Sequence, residues 1–108
     1  MTTNILGRQL REARDAKGLL VRQVAAVMQI DPSLLSRIER GDKIPTRPQV
    51  IQLAGILGIG EQSLMVLYLY ERVSKMLRGE PAASEVIVLV AKQMDISTDE
   101  INFTSQDT

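Results

Sequence analysis

Residues 19–41, with the sequence LLVRQVAAVMQIDPSLLSRIERG, give the clearest indication of the fold. The first half of this stretch predicts one short amphipathic helix, because its apolar residues recur at helical spacing. These residues are Val24, Ala25 and Met28. Asp31 is suited to accept a backbone N–H bond as the N-cap of a second helix, and Pro32 is pre-organised for its first position. The stretch therefore predicts two short helices joined by a tight turn.

The second of these helices has a narrow apolar face. Leu35 and Ile38, three residues apart, form an apolar stripe, and Gly41 is placed to end the helix as a C-terminal cap. Its polar residues fall on the other faces: Ser33, Ser36, Arg37 and Arg40. This helix therefore presents hydroxyl and guanidinium groups away from the core.

One further helix is predicted on each side of the stretch. The preceding helix has Thr3 or Asn4 as its N-cap and ends at Gly18. Its apolar face consists of Ile5, Leu6, Leu10 and Ala13. The following helix has Thr46 as its N-cap and ends at Gly58. Its apolar residues are Val50, Ile51, Leu53, Ala54 and Leu57.

The C-terminal part of the chain predicts two more helices. The first covers residues 61–77 and is more apolar than a small domain needs for its own core. The second covers residues 82–94, where the β-branched run VIVLV leaves a buried strand as the alternative. Helical neighbours and the lack of an evident partner strand favour the helix. Residues 95–108 predict a short turn and a frayed end.

Residues 6–59 resemble the lambda-repressor-like, or Xre-type, helix-turn-helix family. The segments LGRQLREARDAKGL, LLVRQVAAVMQI, DPSLLSRIERG and PTRPQVIQLAGILGI agree with its first four helices in order and spacing. The resemblance implies an all-α fold, with a five-helix DNA-binding domain over residues 1–78. Residues 79–108 would then add a C-terminal helix and tail for dimerisation.

The amino-acid composition limits the classes of function that this chain can have. The chain has 108 residues, which suits one small domain, and contains neither Cys nor His. Disulfides, thiolate or imidazole metal sites and histidine catalysis are therefore excluded. Among the acids, Asp95, Asp99 and Glu100 are the remaining metal-site alternative. We expect no enzyme activity, catalytic residue, metal or cofactor, and a cytoplasmic location without a signal peptide or membrane span.

The net charge of zero conceals a segregated distribution. Residues 1–50 hold nine Lys and Arg against five Asp and Glu, whereas residues 51–108 hold four against eight. The helix-turn-helix half is therefore basic, as expected for a partner of nucleic acid, and the remainder is acidic.

The resemblance assigns roles to individual residues of the basic half. The third helix of the family lies in the major groove of double-stranded DNA, so its N-terminal side chains are the candidate base readers. These are Pro32, Ser33, Ser36 and Arg37. The candidate backbone or minor-groove contacts are Arg22, Arg40, Lys43 and Arg47. Arg14 and Glu39 would form a structural ion pair. The chain departs from the family at Leu20-Val21, where Ser or Thr followed by Gln is common.

A homodimer is expected, because one domain of this size neutralises too few phosphates for tight specific binding. The apolar surplus of the last two helices is the candidate dimer interface: Leu64, Leu67, Leu69, Val73, Met76, Leu77, Val86, Val88 and Val90. The alternative is that these helices only fold against each other. No set of polar groups converges on a pocket, so we expect no small-molecule ligand.

The leading interpretation is a dimeric transcription repressor that binds a palindromic operator, with a pattern similar to restriction-modification controllers. The alternative function is an antitoxin, which would bind operator DNA and also a toxin through its C-terminal helices. That alternative requires a protein partner encoded nearby. A protein-interaction role without DNA binding is disfavoured by the basic residues around the third helix.

Overall fold

The computed structural model describes residues 4–97, and this range contains six α-helices and no strand. The helices are α1 (Ile5–Ala16), α2 (Val21–Met28), α3 (Pro32–Arg40), α4 (Arg47–Leu57), α5 (Glu61–Leu77) and α6 (Ala83–Gln93). The all-α prediction is confirmed over the described residues, and helix replaces the alternative strand in α6. The alternative N-cap Thr3, the acids Asp99 and Glu100 and the predicted frayed end beyond residue 97 lie outside them.

The chain divides into two compact units, with the boundary between Met76 and Leu77. The first unit contains one hydrophobic core: Leu6, Leu10, Val24, Ala25, Met28, Leu35, Ile38, Val50, Leu53, Ala54, Leu57, Leu64, Met65 and Tyr68. The second unit contains α6. Just after this helix, the Ile96 N–H donates to the Ala91 carbonyl at 2.8 Å. Within the described range, no helix combines the length and apolarity that crossing a membrane requires.

Side-chain caps explain where two of these helices begin. At α4, the Gln49 N–H donates to Thr46 Oγ1 and the Thr46 N–H donates to Gln49 Oε1, at 3.3 and 2.9 Å. At α2 the preceding residue is Leu20, which has no polar side chain. Gln23 compensates, because its Oε1 accepts the Leu20 N–H at 2.8 Å. Half of a capping box therefore begins α2 where the family commonly uses Ser or Thr.

A tight backbone contact joins α1 to the end of α3. Asn4 caps α1 by accepting the Gly7 N–H at 3.1 Å, and its Nδ2 donates to the Glu39 carbonyl at 2.8 Å. A Cβ added at Gly7 would overlap the Glu39 carbonyl and Asn4 Oδ1, and would lie 2.7 Å from the Ile38 carbonyl. From α5, Glu71 Oε1 accepts the N–H groups of the first two residues of α1 at 3.0 and 3.3 Å. The N-terminus of α1 is therefore fixed by its own cap residue and by contacts with α3 and α5.

A buried ion pair also joins α1 to α3. Arg14 Nε and Nη2 donate to the two carboxylate oxygens of Glu39 at 2.7 and 3.0 Å. Arg14 Nη1 donates to the Leu19 carbonyl at 2.8 Å, so the same guanidinium holds the turn before α2. The two side chains are 10% and 8% exposed. The pKa of Arg14 is raised, chiefly by its hydrogen bonds to Glu39.

The close approach at Gly7 predicts opposite effects for two glycine substitutions. Gly7→Ala is expected to lower the free energy of unfolding by about 1–3 kcal/mol, since the methyl group forces α1 away from α3. Gly55→Ala is the control, because Gly55 lies exposed in α4 with no atom near its Cβ position. It should raise the free energy of unfolding by about 0.5–1 kcal/mol. Urea unfolding followed by circular dichroism measures both, and equal effects would contradict the close approach.

The ion pair predicts a large effect of removing one partner. Glu39→Ala leaves the buried Arg14 guanidinium with only the exposed carboxylate of Asp15, whose Oδ1 lies 3.3 Å from Arg14 Nη1, and is expected to cost about 3–5 kcal/mol of unfolding free energy. Asp42→Ala is the matched control, since Asp42 contacts Arg40 Nε at 3.2 Å with both side chains more than half exposed. Solvent screening should limit its cost to less than about 1 kcal/mol. Urea unfolding that gave the same small loss for both variants would contradict the expected cost of leaving Arg14 buried without Glu39.

Candidate nucleic-acid interface

The turn between α2 and α3 sets the direction of the second helix. Gln29 ends α2 in the left-handed conformation with φ 58°, and the Ile30 N–H donates to the Ala25 carbonyl at 3.0 Å. This conformation turns the chain within the three residues that separate α2 from α3. It is uncommon for a residue other than glycine, asparagine or aspartate. The helix-turn-helix geometry therefore carries local backbone strain at Gln29.

The N-terminus of α3 is fixed by Asp31 and Ser33. Asp31 Oδ1 accepts the backbone N–H of Ser33 at 2.8 Å and its hydroxyl at 2.7 Å. These bonds lower the pKa of Asp31, with the hydroxyl bond as the larger cause and the backbone bond as the second. Asp31 is therefore ionised at neutral pH and stabilises the positive end of the helix dipole. Pro32 occupies the first helical position, where no N–H is required.

The faces of α3 differ sharply in exposure. Leu35, Ile38 and Glu39 are buried, whereas the candidate base readers Pro32, Ser33 and Arg37 are exposed and Ser36 is half-buried. The Arg37 guanidinium has no hydrogen-bond, ion-pair or aromatic partner among residues 4–97. A long cationic side chain without an intramolecular partner remains available to an external ligand. The outer face of α3 therefore presents one uncommitted guanidinium near small side chains.

The candidate backbone contacts are distributed over three helices and one loop. Arg22 lies exposed in the first turn of α2, and Lys43 lies exposed in the loop after α3. Neither side chain has a partner within the described part of the chain. Arg40 Nε contacts Asp42 Oδ2 at 3.2 Å, in a pair that is largely open to solvent. Arg22 and Lys43 are therefore uncommitted cations, and Arg40 is a weakly held one.

Arg47 differs from the other three because α5 holds its guanidinium. Its Cζ lies 5.9 Å from the centre of the Tyr68 ring, and its Nη1 lies 3.3 Å from Met65 Sδ. Arg72 lies over the same ring at 5.6 Å and donates to the Tyr68 hydroxyl at 3.4 Å. Contact with an aromatic face reduces the conformational freedom of an arginine. Sequence patterns do not predict this cluster, because Arg47 precedes its other members by 18 residues or more.

The residues predicted to form the dimer interface differ in their exposure to solvent. Leu64 is completely buried in the core of the first unit, so it has no surface to offer and its assignment to the interface is wrong. Leu67 and Leu77 are half-buried, and the remaining predicted residues are exposed: Leu69, Val73, Met76, Val86, Val88 and Val90. Val66 and Tyr70 of α5 are also exposed, at 55% and 38%, and the sequence interpretation omitted them. The exposed apolar residues of α5 therefore lie on the face opposite Leu64.

Comparisons with known proteins agree with this geometry. A family model described as a helix-turn-helix domain matches residues 5–65, which is more than half of the chain. A Bacillus subtilis (strain 168) protein named as an uncharacterized HTH-type transcriptional regulator, YazB, is 33% identical over 64 residues. The match covers 59% of this chain and 93% of that relative. No solved structure matches the chain significantly. The chain belongs to the helix-turn-helix domain family and is an Xre-like, DNA-binding transcription regulator.

Proposed function

We propose that the chain is a dimeric repressor that places the N-terminal half of α3 in the major groove of a palindromic operator. The observation that carries this proposal is the exposed, unpartnered guanidinium of Arg37 on the outer face of α3. Two parallel N–H donors of a guanidinium match the O6 and N7 acceptors of guanine. In helix-turn-helix proteins the second helix of the motif carries the base-reading side chains. Arg37 is therefore the candidate guanine reader.

The other candidate readers have smaller roles in this proposal. The Ser33 hydroxyl already donates to Asp31, so it retains only acceptor capacity for a base or a water molecule. Ser36 has no such bond in the described chain, and its hydroxyl can donate to a phosphate or a base edge. The exposed ring of Pro32 is suited to apolar contact with a thymine methyl group. Direct base reading then rests mainly on Arg37, and DNA shape supplies part of the specificity.

The surrounding cations are proposed to hold the DNA backbone. Arg22 and Lys43 are uncommitted, and Arg40 can exchange the exposed Asp42 carboxylate for a phosphate oxygen. The contacts of Arg47 with Tyr68 and Met65 fix its guanidinium before binding, which lowers the entropy lost on insertion into a minor groove. We assign Arg47 to the minor groove near the operator centre.

The proposed domain organisation follows the family. Helices α1–α5 form a lambda-repressor-like DNA-binding domain over residues 1–78, and residues 79–108 contribute to dimerisation. This assignment is supported by the single apolar core shared by α1–α5. The repressor role follows from occupancy, because a dimer bound over a promoter excludes other proteins from it. A two-fold dimer reads half-sites about one helical turn, ~34 Å, apart.

The dimer surface that we propose on α5 has coiled-coil spacing. Val66, Leu69, Val73 and Met76 follow the a and d positions of two heptads and are between 41% and 75% exposed. Tyr70, beside Leu69, widens this apolar stripe. The opposite face of α5 packs Leu64, Met65 and Tyr68 into the core of the same protomer. A second copy that presents the same stripe across a two-fold axis would cover it.

A second candidate function is favoured by α6. Its residues 86–90 are five consecutive apolar side chains, each between 39% and 64% exposed. Consecutive residues point in directions 100° apart, so this run is apolar on all sides of the helix, and one neighbouring helix covers only one side. A helix-binding protein partner, as in the antitoxin alternative, would enclose it. A symmetric dimer of the chain alone, stable without any co-expressed protein, would count against this alternative.

Base reading and backbone binding predict different mutant behaviour. Arg37→Ala is expected to cost about 1–3 kcal/mol of binding free energy on the preferred operator and to relax specificity at one base pair. Lys43→Ala is the matched control, because it removes one exposed cation that we assign to a phosphate. It should weaken binding to all sequences equally and reduce the salt slope by about one. Selection from a randomised duplex pool, followed by titration, measures both. Identical sequence preferences in the two variants would remove Arg37 from the base-reading set.

The α5 stripe predicts the effect of a charge on oligomeric state. Val73→Glu places a carboxylate in the middle of the proposed seam and is expected to shift the chain from dimer to monomer by at least tenfold in the dissociation constant. Val27→Glu is the control, since Val27 is 66% exposed on α2, outside the stripe. Sedimentation equilibrium measures the change for both variants. A Val73→Glu chain that dimerised as tightly as the wild type would exclude this face as the interface.

A further inference from the structure

A basic groove lies between α1 and α3, beside the face that carries Arg37. It has a volume of about 690 Å³ and is open to solvent. Its lining contains four guanidinium groups, those of Arg8, Arg11, Arg14 and Arg40, together with Asn4, Ser36, Glu39 and Asp42. Four cations against two carboxylates leave the groove positive. Arg8 and Arg11 were not among the sequence-derived DNA contacts.

The four guanidinium groups differ in how firmly they are held. Arg14 is committed to the buried carboxylate of Glu39. Arg40 Nε lies 3.2 Å from Asp42 Oδ2, and Arg11 Nε lies farther from its partner, 3.9 Å from Asp15 Oδ2. Both ion pairs are exposed. Arg8 is exposed and its side chain has no partner among residues 4–97. Exposed pairs are weak, so two or three of these groups can turn toward an external anion at little cost.

The arrangement of these groups suits a phosphate oxyanion. Arg8 and Arg11 are three residues apart and therefore neighbours on one side of α1. Ser36 and Arg40 are four residues apart and neighbours on the facing side of α3. An arginine fork donates two parallel hydrogen bonds to a phosphate, and the Ser36 hydroxyl can donate a further one. The groove thus offers donors from two walls to one anion.

Ser36 links the groove to the proposed DNA site, because it lines the groove and also lies on α3 next to Arg37. When α3 enters a major groove, the strands that border that groove carry a phosphate at each nucleotide. We propose that the α1–α3 groove binds a backbone phosphate of one of these strands, with Arg8 and Arg11 as its principal donors. This inference rests on the proposed docking of α3, and it adds α1 to the DNA-contacting elements.

The test is the salt dependence of DNA binding by the full-length chain. Arg8→Gln and Arg11→Gln, singly and together, are compared with the wild type by fluorescence anisotropy on one operator duplex and one unrelated duplex. Each lost phosphate contact should flatten the slope of log K against log salt by about 0.9 and weaken binding to both duplexes by the same factor. Lys75→Gln is the matched control, since it removes one exposed cation from α5 and does not line the groove.

The outcomes separate this inference from the proposed function. Slopes of the Arg8 and Arg11 variants that equal the Lys75→Gln slope would overturn the groove assignment, whatever the sequence preference of the wild type. Equal binding of the wild type to both duplexes would overturn operator reading, and a flattened slope would then still support the groove. A third outcome combines two results. Inorganic phosphate at constant ionic strength raises the melting temperature of the wild type but not of the double variant, while the salt slopes of the Arg8 and Arg11 variants equal that of Lys75→Gln. The groove would then bind free anions and not DNA. Melting temperatures without phosphate show that each variant is folded.

Discussion

The position of α3 depends on the buried ion pair between Arg14 and Glu39. One guanidinium uses three of its N–H groups on three targets: the two oxygens of Glu39 and the Leu19 carbonyl. It therefore fixes the end of α1, the last turn of α3 and the turn before α2 in one network. An ion pair at this depth contributes little net stability compared with apolar packing, but leaving either partner alone is costly. Its value here is geometric, because arrangements of α3 that separate the pair are strongly disfavoured.

The other end of α1 is held by a second set of polar contacts that act on the same two helices. Asn4 links the first turn of α1 to the Glu39 carbonyl, and Gly7 allows the two backbones to approach closely. Glu71 extends this contact to α5 by accepting two N–H groups of α1. The helix that carries the proposed dimer stripe is thus bonded to the helix that positions α3. In the proposed dimer, these bonds would couple the position of the α5 stripe to the orientation of α3.

Sequence periodicity predicted the helices well because caps and apolar spacing are local signals. Asp31, Pro32, Thr46 and Gly41 lie at the helix ends where propensity places them. The error at Leu64 has a physical cause, since α5 is apolar on two faces and periodicity cannot tell which face meets its own core. The left-handed residue Gln29 and the Arg47–Tyr68 contact lacked any signal. Neither a glycine nor a short sequence separation marks them, and both result from tertiary packing.

The distribution of paired and unpaired cations explains how a chain without net charge can bind a polyanion. Some cations have intramolecular partners: Arg14 pairs with Glu39, and the Arg47 guanidinium lies over the Tyr68 ring. Arg8, Arg22, Arg37 and Lys43 are exposed and have no side-chain partner within the described residues. They all precede α4, while the acidic excess lies after residue 50. Screening limits the repulsion from distant carboxylates to about 10 Å at 0.1 M salt, so the acidic excess after residue 50 acts on α3 only where its carboxylates lie within that distance.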